Sequence, residues 1–133
     1  MTIIALGINH KSAPVELREK VAFSPDKLAQ ALKSFPGTTN AEQMVILSTC
    51  NRTEVYAKAN SKDDAIALSH WLADFHQTGS ELVLQHSYVK HDNEAIEHLM
   101  RVACGLDSLI IGEPQILGQV KQAYTESKNA GKI

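Results

Sequence analysis

The sequence contains few cysteines and no long apolar runs, which argues against a disulfide-stabilised protein and against a membrane-spanning one. Its 133 residues include only Cys50 and Cys104, which are too few for a disulfide framework and fit a reducing cytosol. No apolar run approaches the roughly 18–20 residues that a membrane span needs. Residues 1–7 lack the basic and long apolar segments of a secretory signal and look like a β-strand. We therefore expect a cytoplasmic globular protein that is large enough to bury a core.

Strong charge and metal or nucleotide motifs are also missing. With 13 Lys+Arg against 15 Asp+Glu, the formal net charge is −2, which excludes a polybasic nucleic-acid or membrane-surface protein on composition alone. The histidines and cysteines show no metal-ligand spacing, and no glycine-rich segment matches a dinucleotide or phosphate loop. We expect no metal, and any hydride donor would have to be held elsewhere. Most histidines are predicted at the surface, namely His70, His76, His86 and His91.

Apolar patterns in the first 91 residues predict the order β-α-β-β-α-β. Strands are predicted over 2–9, 44–47, 54–59 and 87–89, with a helix after Ser24-Pro25, a helix over 64–76 and a short helical turn over 81–85. Pro36-Gly37 is predicted to stop the first helix. This order is typical of an α+β, ferredoxin-like split β-α-β fold, in which two helices cover one face of an antiparallel sheet.

Residues 92–133 have a helical pattern instead. A helix capped by Asp92 or Asn93 is predicted to end near Gly105, with a core-facing stripe of Ile96, Leu99, Met100 and Ala103. A final helix over 115–128 is predicted to bury Ile116, Val120, Ala123 and Tyr124. We interpret 1–91 as a ferredoxin-like subdomain and 92–133 as a helical subdomain. Because nothing follows Gly131 for the last helix to turn back toward, we expect the chain to be a piece of a longer protein.

The densest polar segment, residues 48–54, connects two predicted strands in a tight hairpin. Cys50 at such a tip can reach a substrate, and Arg52 would favour its thiolate form or hold a carboxylate. The alternative is that Cys50 is a small buried filler among ordinary hairpin residues. Cys104 lies on the predicted core-facing side of its helix, where an inert filler is the favoured interpretation.

Two polar features of the helical segment each admit two interpretations. His98 lies away from the predicted apolar stripe, so it points either into a cleft or, as a surface residue, into solvent. Gln115, Gln119 and Gln122 form an uncharged stripe at i, i+4 and i+7. Their amides suit hydrogen bonding to a polar substrate, and glutamine is also a common residue on exposed helix surfaces.

Three segments together carry a resemblance to a known family. They are residues 7–19 (GINHKSAPVELRE), residues 48–56 (STCNRTEVY) and residues 98–121, which include LIIGEPQILGQ. They resemble the opening, the nucleophile motif and the long signature of glutamyl-tRNA reductase, the first committed enzyme of tetrapyrrole, and hence porphyrin and heme, synthesis from glutamate. The match runs in order through essentially the whole chain, and the amino-acid sequence most resembles that of γ-proteobacterial enzymes.

The resemblance implies that this chain is the catalytic domain of an oxidoreductase. The NADPH-binding Rossmann domain and the dimerisation domain of the family would lie outside it. Cys50 would attack the ester of glutamyl-tRNA(Glu), releasing tRNA and leaving a glutamyl thioester that NADPH reduces to glutamate-1-semialdehyde. His98 would polarise the carbonyl or protonate the leaving oxygen.

The resemblance also implies a substrate pocket and partners. The pocket would be lined by Thr49, Cys50, Asn51, Arg52, Ser108, Glu113, Pro114, Gln115 and Gln119. The implied partners are glutamyl-tRNA(Glu), a second copy of the full-length protein in a homodimer and glutamate-1-semialdehyde aminomutase, with no membrane. Two other hypotheses stay open, a tRNA- or partner-binding module without catalysis and a thiol hydrolase or transferase of other specificity.

Overall fold

A computed structural model of the chain describes residues 1–35, 41–107 and 115–133. The elements in chain order are β1 (Thr2–Asn9), α1 (Val15–Lys20), α2 (Pro25–Ser34), β2 (Gln43–Ser48), β3 (Arg52–Ala59), α3 (Asp64–Phe75), α4 (Ser80–His86), β4 (Tyr88–His91), α5 (Asn93–Ala103) and α6 (Gln115–Asn129). The predicted strands and the larger predicted helices are all present, most of them within two residues of their expected ends.

Within these ranges, four strands form one antiparallel sheet in the order β2-β3-β1-β4. This order confirms the predicted α+β, ferredoxin-like arrangement, with the first and third strands in the centre. Side chains alternate between the two faces of each strand. Along the central strand β1, Ile4, Leu6 and Ile8 therefore point to one face, while Gly7 and Asn9 belong to the other.

The first face carries the main hydrophobic core under α2 and α3. Ile4, Leu6 and Ile8 are fully buried there, together with Leu68 and Leu72 of α3. As predicted, Pro25 opens α2 and Ser24 caps it, because the Ser24 hydroxyl accepts a hydrogen bond from the Lys27 amide at 3.3 Å. The predicted stop at Pro36-Gly37 lies outside the described residues.

Helix α1 was not expected, because the sequence pattern predicts no element between the first strand and Ser24. It spans six residues, and its one buried side chain, Leu17, joins the core of the first face next to Val21. Such a short helix contains too few turns for a periodic apolar pattern to stand out. Its stability comes from packing rather than from local propensity.

The second face of the sheet is covered by α5 and α6. A smaller apolar cluster forms there from Leu47 of β2, Val102 of α5 and Ile116 and Ala123 of α6. This packing places the residues after Asp92 directly on the sheet. The division into subdomains 1–91 and 92–133 stays a prediction.

The predicted core stripe of α5 is wrong for two of its members. Ile96 and Met100 are 41% and 63% exposed, whereas Ala95 and Val102 are buried. The reason is that the sheet beneath α5 presents a carboxylate, so a histidine, His98, occupies a position on the buried side of the helix. The most apolar side of α5 is therefore not the side that packs against the sheet.

Three further expectations for side-chain burial are corrected. Tyr124 was assigned to the core face of α6 and is 49% exposed, and Cys104 was assigned to a core-facing position and is exposed at the end of α5. His76 was expected at the surface, but both of its ring nitrogens are buried without a hydrogen-bond partner among the described residues. His76 packs edge-on against Phe23 and Phe75 instead.

The chain after α6 does turn back onto the sheet, contrary to expectation. The turn at Gly131 follows the helix, with the Lys132 amide donating to the Ser127 carbonyl at 2.9 Å. The Lys132 carbonyl then accepts from the Met44 amide at 3.0 Å, and its Nζ donates to the Phe35 carbonyl at 3.1 Å. The bond with Met44 joins this segment to the outer edge of β2, and the bond with Phe35 joins it to the end of α2.

Candidate active site

The polar hairpin between β2 and β3 is tight, as predicted, and presents Cys50 at its tip. The strands pair up to Ser48 opposite Thr53. The Thr49 amide donates to the Arg52 carbonyl at 2.8 Å, and the Asn51 amide donates to the Thr49 hydroxyl at 3.2 Å. These bonds fix the backbone around Cys50, whose side chain is exposed. The interpretation of Cys50 as a buried filler is therefore wrong.

The base of this hairpin is anchored to the rest of the fold. The Ser48 hydroxyl accepts a hydrogen bond from the Phe23 amide at 2.9 Å and shares another with the Thr53 hydroxyl at 3.3 Å. The Cys50 side chain at the tip is thus carried by an anchored strand pair, which keeps its position defined.

A small cavity of about 50 Å³ adjoins the tip of the hairpin. It is lined by Thr49, Cys50, Asn51, Arg52, Gln115, Ile116 and Gln119. The structure therefore brings together six of the nine residues predicted for the pocket, from two segments that are more than 60 positions apart. The other three, Ser108, Glu113 and Pro114, lie outside the described residues.

Beside this cavity, β3 directs a row of polar side chains onto the second face of the sheet. Glu54 is only 1% exposed and accepts hydrogen bonds at both oxygens. Its Oε1 accepts from the Tyr56 hydroxyl at 2.7 Å. Its Oε2 accepts from Arg52 Nη1 at 3.2 Å, bonds to His98 Nε2 at 2.5 Å, and accepts from the Tyr88 hydroxyl.

These partners keep Glu54 ionised despite its burial. Burial alone would raise the pKa of the carboxyl, but the hydrogen bond with His98 and the charge of Arg52 outweigh it and hold the pKa below its ordinary value. Burial and the Glu54 charge in turn raise the pKa of both tyrosines, Tyr56 and Tyr88, so they remain protonated donors. The group is a fixed anion surrounded by donors.

Arg52 links the polar cluster around Glu54 to the segment that follows the C-terminal end of α5. Its guanidinium is buried and bonds to Glu54, to Asp107 Oδ2 at 3.1 Å through Nη1, and to the Asp107 carbonyl through Nη2. Gly105 makes this contact possible, because its φ of 77° lets the chain reverse after α5. The Arg52 charge offsets the burial of Asp107 and lowers the pKa of that carboxyl. Arg52 therefore lines the small cavity while it binds two carboxylates of its own chain.

A second cavity of about 280 Å³ opens next to His98. It is lined by Asn9, Lys11, Ser12, Tyr88, Lys90, His98 and Asp107. The His98 side chain is 11% exposed. The interpretation that His98 points into a cleft is confirmed, and the interpretation that it is a surface residue pointing into solvent is wrong.

Asn9 shapes the β1 side of this cavity. Its side-chain Oδ1 accepts hydrogen bonds from the backbone amides of Lys11 and Ser12 at 2.9 and 3.0 Å. The backbone amide of Asn9 donates to the Ser12 hydroxyl at 2.9 Å. The loop after β1 is thus closed by side-chain hydrogen bonds of the Asx type.

Sequence reasoning did not assign a role to Glu54, Tyr56, Tyr88 or Asp107. One signal was available for two of them: Arg52, Glu54 and Tyr56 alternate along β3, which gives a strand with one entirely polar face. A strand buried on both sides with such a face predicts a polar site rather than a second apolar layer. The contacts of Tyr88 and Asp107 depend on pairings that the sequence pattern does not encode.

Neither a metal-ligand cluster nor a membrane-spanning helix is present in the described ranges. No group of three or more His, Cys, Asp or Glu side chains there is arranged to hold a metal ion. None of the helices described has the length and apolarity required to cross a bilayer.

Comparisons with known proteins point to one family. The family described as "Glutamyl-tRNAGlu reductase, N-terminal domain" matches residues 6–133. Curated proteins called glutamyl-tRNA reductase include one from Pseudoalteromonas atlantica, 62% identical over 100% of this chain and 31% of that protein. Another, from Shewanella denitrificans, is 54% identical over 98% of this chain and 31% of that protein.

Comparison of the fold with solved structures points to the same family. Glutamyl-tRNA reductase from Methanopyrus kandleri matches with a TM-score of 0.79 and 35% identity, over 98% of this chain and 29% of that one. The chain thus spans about a third of the length of the relatives that it matches.

Proposed function

The chain belongs to the glutamyl-tRNA reductase N-terminal domain family, and from that premise we propose that it carries out the acyl-transfer step of such an enzyme. In this step the Cys50 thiolate attacks the glutamyl ester of glutamyl-tRNA(Glu). The observation that carries the proposal is the exposed thiol of Cys50 at the tip of an anchored hairpin, on the rim of a polar cavity.

The cavity supplies groups suited to an α-amino acid ester. The side chains of Thr49, Asn51, Gln115 and Gln119 are neutral donors and acceptors, which can bind an ammonium or a carbonyl without a charge partner of their own. Arg52 is the positively charged residue of this lining, and it would attract the side-chain carboxylate of the glutamyl group. Its guanidinium also bonds to Glu54 and Asp107. Ser108, Glu113 and Pro114 remain predicted members of this pocket.

The bonds in the proposed step balance without a redox partner. A bond forms between Cys50 Sγ and the glutamyl carbonyl carbon, and the ester bond from that carbon to the terminal ribose oxygen breaks. The proton lost by the thiol passes to the departing ribose oxygen. His98, which opens onto the neighbouring cavity, is the side chain that we propose delivers it.

We assign no residue of this chain to NADPH. Within the described ranges every pair of neighbouring strands is antiparallel, whereas a dinucleotide-binding β-α-β unit has two parallel strands side by side. When bound by a longer protein, NADPH would supply the hydride that converts the thioester to glutamate-1-semialdehyde. The homodimer, the aminomutase partner and the cytoplasmic location stay predictions.

Intact-protein mass spectrometry after mixing with glutamyl-tRNA tests the proposal. We expect one glutamyl adduct on the wild-type chain and on Cys104→Ser, and none on Cys50→Ser. Cys104→Ser is a matched control because both thiols are exposed. An adduct that persists in Cys50→Ser would refute the proposal.

The remaining hypotheses predict other results in the same experiment. A module that only binds tRNA or a protein would bind glutamyl-tRNA without forming an adduct on any cysteine. A thiol enzyme of other specificity would be acylated by other esters in preference to glutamyl-tRNA. Uncharged tRNA and a second aminoacyl-tRNA complete the comparison.

A further inference from the structure

The contact between Glu54 and His98 determines which atom of the imidazole is available for chemistry. We propose that Glu54 is a positioning residue that holds His98 with Nε2 toward the protein and Nδ1 toward the substrate. This inference rests on the proposed function, in which His98 serves the departing oxygen.

The geometry leaves one orientation of the ring. His98 Nε2 lies 2.5 Å from Oε2 of the buried Glu54, and the His98 side chain borders the cavity together with Tyr88 and Asp107. A half turn of the ring would put a carbon opposite the carboxylate and break this bond. Within residues 1–35, 41–107 and 115–133, no hydrogen bond is made to Nδ1.

The partners of Glu54 also determine where the ring proton lies. An ionised carboxylate only accepts hydrogen bonds, so Nε2 must be the donor in this contact. A neutral His98 therefore carries its proton on Nε2 and its lone pair on Nδ1. Once protonated, the ring gains its second proton at Nδ1, where it can be donated to an oxygen of the substrate.

The two oxygens of Glu54 have different partners, and this difference provides a control. Oε2 serves His98, Tyr88 and Arg52, whereas Oε1 serves only Tyr56 among the described residues. Tyr56→Phe therefore removes one hydrogen bond from the same buried carboxylate without touching the oxygen that binds His98.

Ring nitrogen resonances of the ¹⁵N-labelled chain test the proposal directly. His98 is assigned by the signals that disappear in His98→Gln. We expect the neutral ring of the wild type and of Tyr56→Phe to be protonated at Nε2. A wild-type His98 protonated at Nδ1, or an even mixture of both forms, would overturn the proposal.

Glu54 variants test whether this residue is the cause. We expect Glu54→Leu, which leaves no acceptor for the Nε2–H of His98, to lose the preference for the Nε2-protonated form. It should also slow acylation of Cys50 about 10²-fold at saturating glutamyl-tRNA, with the half-saturating concentration unchanged. Glu54→Asp, which keeps the carboxylate, should recover part of both. If Glu54→Leu fails to fold, Glu54→Asp and Tyr56→Phe still give the comparison, and a wild-type tautomer and rate in a folded Glu54→Leu contradict the proposal.

The two measurements fail independently of each other. The nitrogen resonances require no tRNA, so they report on His98 even if glutamyl-tRNA proves not to be the substrate. A correct tautomer with no Cys50 adduct would leave the positioning intact and reject the proposed function. An adduct with the wrong tautomer would do the reverse.

Discussion

Tyr88 reaches Glu54 across the central strand of the sheet, and the two residues meet over Gly7. Gly7 of β1 lies opposite Glu54 of β3 on one side and opposite Tyr88 of β4 on the other. Because Gly7 has no side chain, the Tyr88 hydroxyl can pass over it and donate to Glu54 Oε2. The buried polar group is therefore built from three adjacent strands, and its central position has to be empty.

Replacement of Gly7 by alanine should break this arrangement. The new Cβ would lie 2.7 Å from the Tyr88 hydroxyl oxygen and 2.8 Å from Glu54 Cγ, so both side chains would have to move. We expect Gly7→Ala to lower the free energy of unfolding by about 1–3 kcal/mol, the usual cost of overpacking. Urea denaturation followed by circular dichroism measures it.

Gly118→Ala is the matched control for this experiment. Apart from the backbone of its own helix, no atom of the described residues lies within 4 Å of the Cβ that alanine would add there, in the first turn of α6. Helix propensity predicts a gain in stability of up to about 1 kcal/mol. If both variants shift the unfolding midpoint in the same direction, the close approach at Gly7 is not the cause.

The predictable parts of this fold and site are those with local signals. Ser24-Pro25 determines a helix start within a few residues, and the segment around Cys50 is bounded by two clear strand patterns. The contacts of Glu54 are different, because they join it to Tyr88 and His98, which lie 34 and 44 residues further along the chain. Which side chains meet across a sheet depends on strand order and register.

The error on α5 has the same origin. Apolar periodicity identifies the buried side of a helix only if the partner surface is apolar. The surface below His98 carries an ionised carboxylate, so the buried side includes a histidine while Ile96 and Met100 remain exposed. Apolar periodicity therefore identifies the wrong side of a helix where a polar cluster lies between that helix and the sheet.

His76 should make stability depend on pH in a separate region of the molecule. Its burial beside Phe23 and Phe75, together with the charge of Lys27, lowers the pKa of the imidazole to about 4. The unfolded chain takes up this proton near pH 6.5. Between these values the unfolded state binds more protons, so the free energy of unfolding falls as the pH drops from 7 to 5.

The contribution of His76 is isolated by comparing variants over that range. We expect a flatter profile of unfolding free energy against pH in His76→Phe, whereas His70→Gln, at an exposed position, should keep the wild-type slope. His10, whose pKa is also lowered by burial, contributes equally to all three proteins. The carboxylates with lowered pKa, among them Asp107, act only below about pH 5. Parallel profiles for wild type and His76→Phe would contradict the prediction.

The two cysteines allow reactivity to be compared at equal access. Both thiols are exposed, so a difference in their alkylation rates reports on their chemical surroundings rather than on burial. Cys50 lies at the tip of the hairpin on the rim of the small cavity, and the proposed function makes it the nucleophile, whereas Cys104 follows the C-terminal end of α5. We expect iodoacetamide to label Cys50 faster, as measured by peptide mass spectrometry over time in the wild type and in each single Ser variant. Equal and slow rates at both sites would favour a module that binds without catalysis.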